Sequence, residues 1–544
     1  MKTGGTGEQF LFVLWAGAVT LPFLPQAYRA FAPLQDLMLV AGGGLVCLLA
    51  ACRTSSGVAK GAPGWPLWGA AAAVFLMIVA PWLWAASPAR HLSEAIRLGA
   101  LLSIALTLPS LIRPESRRFL LRAWLVIGWL QAALVFLQLG GLDPFAAFVG
   151  TAPVWRVYGT LGNPNLVAIL LLPLAVLSLD HTILADRRHR VLSVVILSLA
   201  LCATGSRLAT LLLVLGLAMG HLHLTIPTTK TEERRPMPWV GLLLLLGAAL
   251  FSAFLMGKNF NSPWGRLFFW RAALLLFSRQ PLQGHGLGHF QGAYPQAAGE
   301  IAAPGAAPFA LPVHAHNDWL EYAVEGGAAS LLLVASILAA LCPGWRNPDN
   351  RSLVLALGLM FLAACWYSPL HAAPTALLFW TLFSLVATDQ GGQKRKISRI
   401  LPTGLCLIML FGVGQMANGV RGHWLAGQAE AAYLRGAIKE GEGLWAQAVR
   451  LNPGEGAFVY GWAWGLARTG EASKARRLAL CATQIYANFD LYLLQISLLA
   501  RQGRVEEARV QLTWLATAFP DLQQAQHLLS ELEERQQLLS DGSL

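Results

Sequence analysis

Charge is what this chain has least of. Only 12% of its 544 residues are Asp, Glu, Lys or Arg, against 56% hydrophobic, and the mean hydropathy is +0.53. A soluble globular protein carries about twice that share of charge, so that class is excluded. Cysteine is sparse too, with seven residues, no CxxC and no Cys/His spacing suited to zinc. Cys47, Cys52, Cys202, Cys342, Cys365 and Cys406 lie in or beside apolar runs, where a small buried hydrophobe is the ordinary use; Cys481 stands alone. Neither a disulfide framework nor a structural metal is expected, and no cofactor is implied. A nucleotide-binding glycine loop is also missing. GHGLGHF at 284–290 does not fit GxGxxG and follows no strand pattern, so it reads as a flexible turn, with His285 and His289 as loop residues.

Long apolar runs fill the space that charge leaves. Roughly 18 or more such residues cross a hydrocarbon core. Runs at 9–24, 34–52, 65–86, 94–112, 119–139, 164–184, 190–205, 208–224, 238–256, 319–342, 351–370, 372–388 and 400–416 predict an all-α polytopic membrane domain over residues 1–416. Alternate connections, starting from the N-terminus, hold nineteen basic residues and the others nine. The positive-inside rule then puts the N-terminus in the cytoplasm and the longest loop, 257–318, outside. The net charge of +12 belongs to this topology: 28 basic and 15 acidic residues precede residue 417, and 12 and 13 follow. Contact with anionic lipid explains the excess, and no nucleic-acid partner is needed.

From 417 to 544 charge returns and the apolar runs shorten into amphipathic helix pairs. LNP at 451–453 and AFP at 518–520 are 67 residues apart, and RTGEASKAR (468–476) and RQGRVEEAR (501–509) are 33 apart. That spacing is the arithmetic of tetratricopeptide-like repeats, which bury a core by stacking. Thirteen spans would place this region outside; twelve or fourteen would place it in the cytoplasm.

The chemistry-bearing residues gather in the loops. In LPVHAHNDWLEYAVEGGAAS (311–330), His314, His316, Asn317, Asp318 and Glu321 fall within eight residues at the lip of a span. Ionisable groups are costly near a bilayer, so a cluster there points to function. A helix starting near 318 would put Asp318 and Glu321 on one face. Helix capping, snorkelling and a metal site from the two histidines and Asp318 compete with that use. YGTLGNPNLVAI (158–169) offers Asn163 and Asn165 around Pro164, which holds Asn163 out of helical geometry; a plain turn and cap is the competing use. ATGSRLATLL (203–212) places Arg207 in a very short connection on the positive-poor side, where snorkelling is the alternative. Residues 264–279 predict an amphipathic helix along the membrane, with Trp264, Phe268 and Trp270 at the interface and Arg266 and Arg271 facing outward.

These pieces, in this order over residues 150–390, resemble the bacterial O-antigen ligase and polymerase superfamily, including its protein-glycosylating relatives. The most specific match is His316-Asn317, nine residues, then Gly327-Ala-Ala-Ser330. The ligase pattern has glycine where this chain has Ser330. GNPN, the GSR arginine and the GRxxxW start of the long loop follow the family order.

The resemblance implies a metal-independent glycosyltransferase of GT-C-like fold that takes a glycan from a polyprenyl diphosphate. Its site would lie on the periplasmic face of the bacterial inner membrane. Arg207 and Arg266 match the family's arginine positions and would stabilise the departing diphosphate, with Arg271 in reserve. His316 would accept the acceptor's proton, and His314 competes for that task. Asn163, Asn165, Asn317, Asp318 and Glu321 would bind or orient substrate. The absence of a DxD, used elsewhere for metal-bound nucleotide sugars, agrees with a lipid diphosphate donor. The acceptor would be lipid A–core, another repeat unit, or a protein hydroxyl, and the repeat region would offer a surface to a protein. A lipid-linked glycan flippase, the rival class, would need mid-span ionisable groups and paired broken helices; Glu94 and Asp180 lie only near span ends. A membrane scaffold for the repeat region is the remaining reading.

Overall fold

The computed structural model describes residues 14–24, 27–55, 63–112, 114–147, 156–224, 261–301, 311–345, 347–388, 399–519 and 522–530. Helices, turns and loops make up all of it, and no strand occurs among the described residues. The helices begin with α1 (Ala32–Ser55), α2 (Trp65–Val79), α3 (Pro88–Leu111), α4 (Pro114–Leu139), α5 (Pro164–Leu177), α6 (Arg187–Ala203) and α7 (Arg207–Leu224). Next come α8 (Asn261–Arg279), α9 (Phe290–Ile301), α10 (Asp318–Gly326), α11 (Ala329–Gly344), α12 (Arg351–Ala364), α13 (Ala373–Thr388) and α14 (Ile400–Leu434). The chain continues with α15 (Ile438–Leu451), α16 (Gly456–Thr469), α17 (Ala472–Thr483), α18 (Phe489–Arg501) and α19 (Val505–Ala518).

Among the described residues, five helices have the length and hydropathy to cross a bilayer: α1, α2 with its 3-10 extension to Leu83, α3, α4 and α14. Five shorter apolar helices accompany them, among them α5, α11, α12 and α13. The protein is therefore an all-α polytopic membrane protein, as its composition predicts. The run at 238–256 lies outside the described residues. One expected span changes form. The run at 319–342 is two helices, α10 and α11, because Gly327 turns to φ +61 and ends the first.

The chain divides into two compact units. The first comprises residues 1–74, 96–259 and 331–417. Its centre is formed by α5, α6, α7, α12 and α13, of which α5 and α13 are buried almost throughout. A helix that is apolar all round asks for such a position, whereas a one-sided stripe would place it at the surface.

The second unit comprises residues 75–95, 260–330 and 418–544. Phe268, Phe269, Ala272, Ala273 and Leu276 of α8 pack with Phe290, Tyr294 and Ala297 of α9 and with Val324 of α10. Helices α15 to α19 follow as a stack, each packing on the next. Gly470, at φ +95, closes α16, and the Asn488 side chain caps the start of α18. The stack meets the other segments of its unit through Gln291 Nε2, which donates to Ala487 O at 3.3 Å, and through Arg90 and Glu455, 3.9 Å apart. The described parts of segments 260–330 and 418–544 thus belong to one compact unit.

Candidate active site

Local structure at the start of α10 is set by Asn317. It is extended (φ −160), and its Oδ1 accepts from Trp319 N and Leu320 N, each at 3.1 Å. An N-cap of this kind stabilises a helix by about 1 kcal/mol. Asn317 therefore spends its side-chain oxygen on the backbone. Asp318 follows, fully buried, in the first turn, where the helix dipole favours a negative group.

His316 sits just before the cap at φ +53, the one non-glycine residue with positive φ among the described residues. Such a backbone costs about 1–3 kcal/mol and persists only where the surroundings impose it. Glu321, 2% exposed, imposes it from one turn into α10. One of its oxygens accepts from Ala315 N at 2.8 Å, the other from His314 Nδ1 at 2.8 Å. A carboxylate only accepts, so Nδ1 of His314 carries the hydrogen and, in the neutral ring, Nε2 is the basic atom. From the other side, the His316 ring stacks on Phe269 with centroids 6.0 Å apart and planes at 29°.

Phe269 also brings α8 into the site. Arg266 precedes it by three residues and so shares its face. The half-buried His316 is held well below the ordinary histidine range, at about 4, first by burial and then by the neighbouring Arg266 and His314; Glu321 works in the opposite direction. His316 is accordingly neutral at physiological pH. Arg271 is exposed and lies five residues beyond Arg266, roughly 140° round the helix, so it does not join this group. The side chain of Trp264 lies outside the described residues. Phe268 and Trp270, expected at the membrane interface, instead turn inward, because α9 supplies an apolar partner that sequence periodicity could not show.

The glycine loop before α9 departs from the flexible turn expected of it. Gly284, Gly286 and Gly288 all have positive φ, and the backbone between them is tied down. His285 N donates to Val324 O and Gly286 N to Glu325 O, both at 2.9 Å; Phe290 N donates to a Glu325 carboxylate oxygen at 3.1 Å. Leu287 N donates to Nδ1 of the buried His91 at 2.9 Å, and Ser87 N donates to Nε2 of the buried His289 at 2.9 Å. Both histidines must be neutral to accept these bonds. Burial holds His289 down at about 4. Its function is to fix the loop against residues 87–91.

That loop explains the family glycine. A Cβ on Gly327 would come closer than 3.0 Å to Leu282 O, and one on Gly284 equally close to Glu325 O, so two backbones touch here. Ser330, where the ligase pattern has glycine, is buried, and its hydroxyl donates to Gly327 O at 2.8 Å.

The remaining expected residues occupy the first unit. Asn163 is an N-cap for α5, its side chain accepting from Asn165 N at 2.9 Å, with Pro164 as the first helical residue. Asn165 Oδ1 accepts from Arg156 Nη2 at 3.3 Å, and Arg156 Nε donates to Thr204 O at 2.8 Å. Arg207 opens α7 three residues later, and its side chain makes no hydrogen bond or ion pair among the described residues. Arg156 therefore joins the two motifs, and sequence reading passed over it. The available signal was an arginine on the positive-poor side, two residues ahead of YGTLGNPN.

The structure so far defines a class: a polytopic helical membrane protein whose polar segments present a neutral, strained histidine beside an arginine, and separately an arginine pair. Residues 192–335 match the family model described as O-antigen ligase. The matched segment contains Arg207, Arg266 and the His316–Ser330 motif, and the match supports a membrane enzyme of the O-antigen ligase/polymerase type. Comparison with curated proteins gives no match.

Proposed function

We propose that the protein transfers a glycan from a polyprenyl-diphosphate carrier to an acceptor hydroxyl on the periplasmic face of the bacterial inner membrane, as an O-antigen ligase with lipid A–core as acceptor. The observation that carries this reading is His316: a neutral imidazole on a strained backbone, stacked on Phe269 and beside Arg266. The acceptor oxygen attacks the anomeric carbon, the bond from that carbon to the phosphate oxygen breaks, and lipid diphosphate departs. His316 takes the acceptor's proton as its oxygen bonds to carbon, a role open only to an unprotonated ring. Arg266 supplies positive charge next to it, and Arg207 is the second cation proposed for the donor's phosphates.

His314 and Glu321 hold the loop that carries His316, and His314 is the alternative base. Asn163 and Asn317 serve as helix caps and Asn165 as an anchor for Arg156; these three and Asp318 are the residues proposed to bind or orient substrate. The mechanism calls for no metal ion or cofactor. A polymerase, or a transferase to protein hydroxyls, would use the same chemistry. The helical stack of 438–518, read as tetratricopeptide-like, is a peptide-binding type of scaffold and favours a protein acceptor as the second reading.

The test is transfer by purified protein in detergent, from a lipid-diphosphate-linked oligosaccharide to lipid A–core, to a second donor, or to peptide, with chelator present. Transfer to lipid A–core is expected. Transfer solely to peptide would replace ligase by protein glycosylation; translocation without transfer would replace both by the flippase.

A further inference from the structure

Close contacts seat the helical stack on α9 and on the start of α3. A Cβ on Gly454, in the turn between α15 and α16, would lie 2.6 Å from Arg90 N. One on Gly292 of α9 would lie 2.0 Å from Gln484 O, and one on Gly299 2.7 Å from Trp514 Nε1. Gly292 and Gly299 are seven residues apart, so they share a face of α9, and that face lies on the stack.

Arg90 sits in this seam. Its Nε donates to Gly288 O at 3.3 Å, its Nη2 lies 3.4 Å from a Glu94 carboxylate oxygen, and its Nη1 lies 3.9 Å from one of Glu455. Gly288 admits the guanidinium: it has φ +76, and a Cβ there would lie 2.6 Å from Arg90 Nε. Glu455 is buried at the head of α16, and the oxygen that faces Arg90 is also 4.0 Å from Nε2 of the buried His423. Removing a cation from beside a buried carboxylate is costly, so the pairing with Arg90 holds the stack in its seat.

The loop that Arg90 grips leads to the proposed base. Its backbone donates to Val324 O and Glu325 O, and Phe290 N donates to the Glu325 carboxylate, all at the C-terminal end of α10. That helix has nine residues, a length of about 13 Å. At its other end Asn317 and Glu321 shape the backbone that carries His316. So short a helix, tied at both ends, moves as one piece.

We propose that Arg90 is a positioning residue: held between Gly288 O, Glu94 and Glu455, it latches the helical stack to the glycine loop and so sets where α10 holds His316. The proposal rests on His316 acting as the base in glycan transfer, and it makes the stack a working support of the catalytic residue.

Hydrogen exchange and steady-state transfer are measured on the same purified full-length protein in detergent, for wild type, Glu455→Gln, Arg90→Gln and the double variant. Glu455→Gln keeps the shape of the side chain and removes its charge, so it carries the test alone if Arg90→Gln does not fold. Amides of 284–290 and 318–326 should exchange about tenfold faster in each single variant, while those of 489–518 keep their wild-type rates. The kcat should fall about ten- to hundredfold with the donor KM within about threefold of wild type. The acid limb of the rate, near pH 4 for a buried His316, should move to higher pH as the imidazole loses burial. The double variant should lie within about threefold of Arg90→Gln, because the two groups act through one contact. Three results would overturn the proposal: wild-type exchange at 284–290 and 318–326 in Glu455→Gln, a fall in activity with the acid limb unmoved, or losses that multiply in the double variant. Faster exchange in the expected pattern, in a protein whose wild type transfers no glycan, would keep the latch and sink the transferase reading instead.

Discussion

Replacing Gly327 by alanine should disrupt the active-site region through the backbone alone. Gly327 has φ +61 and ψ −147, a region occupied almost solely by glycine, and a side chain there costs about 1–3 kcal/mol. The added Cβ would also come closer than 3.0 Å to Leu282 O, a backbone atom that cannot rotate away. Forcing an extra carbon into a packed site costs a further 1–3 kcal/mol, roughly. The sum, about 2–6 kcal/mol, is a large share of a typical domain's stability. The strain falls between α10, which carries Glu321, and the loop 284–289 that His91 and His289 anchor.

Thermal unfolding in detergent, followed through tryptophan fluorescence, should show the loss, and transfer activity should fall with it. Gly443→Ala is the matched control. Gly443 lies exposed within α15 with nothing within 4 Å of a Cβ, so alanine there should be neutral or stabilise by about 0.5–1 kcal/mol. Equal melting temperatures for Gly327→Ala and wild type would refute the backbone argument.

Four further predictions follow from the same geometry. Glu321→Gln removes the charge that holds His314 and leaves one of the two donors at its oxygens facing an NH2, so transfer should drop about ten- to hundredfold in steady-state assays; a loss below threefold would show the pair is dispensable. Folding lowers the His316 and His289 pKa values from 6.5 to about 4, so between those values the unfolded chain binds more protons. Stability is therefore complete above about pH 6.5 and falls as pH drops towards 4; a melting temperature that stays flat from 7 to 4 would contradict this. The acid limb of the rate should lie near pH 4 for a His316 base, and Arg266→Ala, by removing the second-largest cause of the shift, should move that limb to higher pH. Ser330→Gly, which restores the ligase pattern, removes one hydroxyl bond and should change stability by no more than about 1 kcal/mol on denaturant titration.

The all-helical membrane class was readable from composition, because nothing but a bilayer accounts for so much apolar sequence with so little charge. The His314–Glu321 cluster was readable as well, since ionisable groups at the lip of an apolar run stand out against it. Partners were not readable. That Glu321 binds both His314 and Ala315 N, and that Phe269 stacks on His316, depends on the φ of one residue and on a helix some fifty residues earlier. The run at 319–342 gave one span by hydropathy, and the break at Gly327 came from a backbone contact with Leu282 that hydropathy does not register. GHGLGHF read as a flexible turn because glycine loosens an isolated chain; here three positive-φ glycines let the backbone reach His91, Val324 and Glu325. Arg156 escaped notice because its meaning lies in Thr204 and Asn165, on two other segments.

The account's central claim is that His316 accepts a proton while a glycan leaves lipid diphosphate. The most direct measurement is single-turnover transfer by His316→Ala from a lipid-diphosphate-linked oligosaccharide, with melting temperature and donor binding measured on the same sample. The account predicts folded protein, donor binding within a few-fold of wild type, and a transfer rate lower by about 10²–10⁴. Wild-type transfer in a folded His316→Ala protein would contradict it.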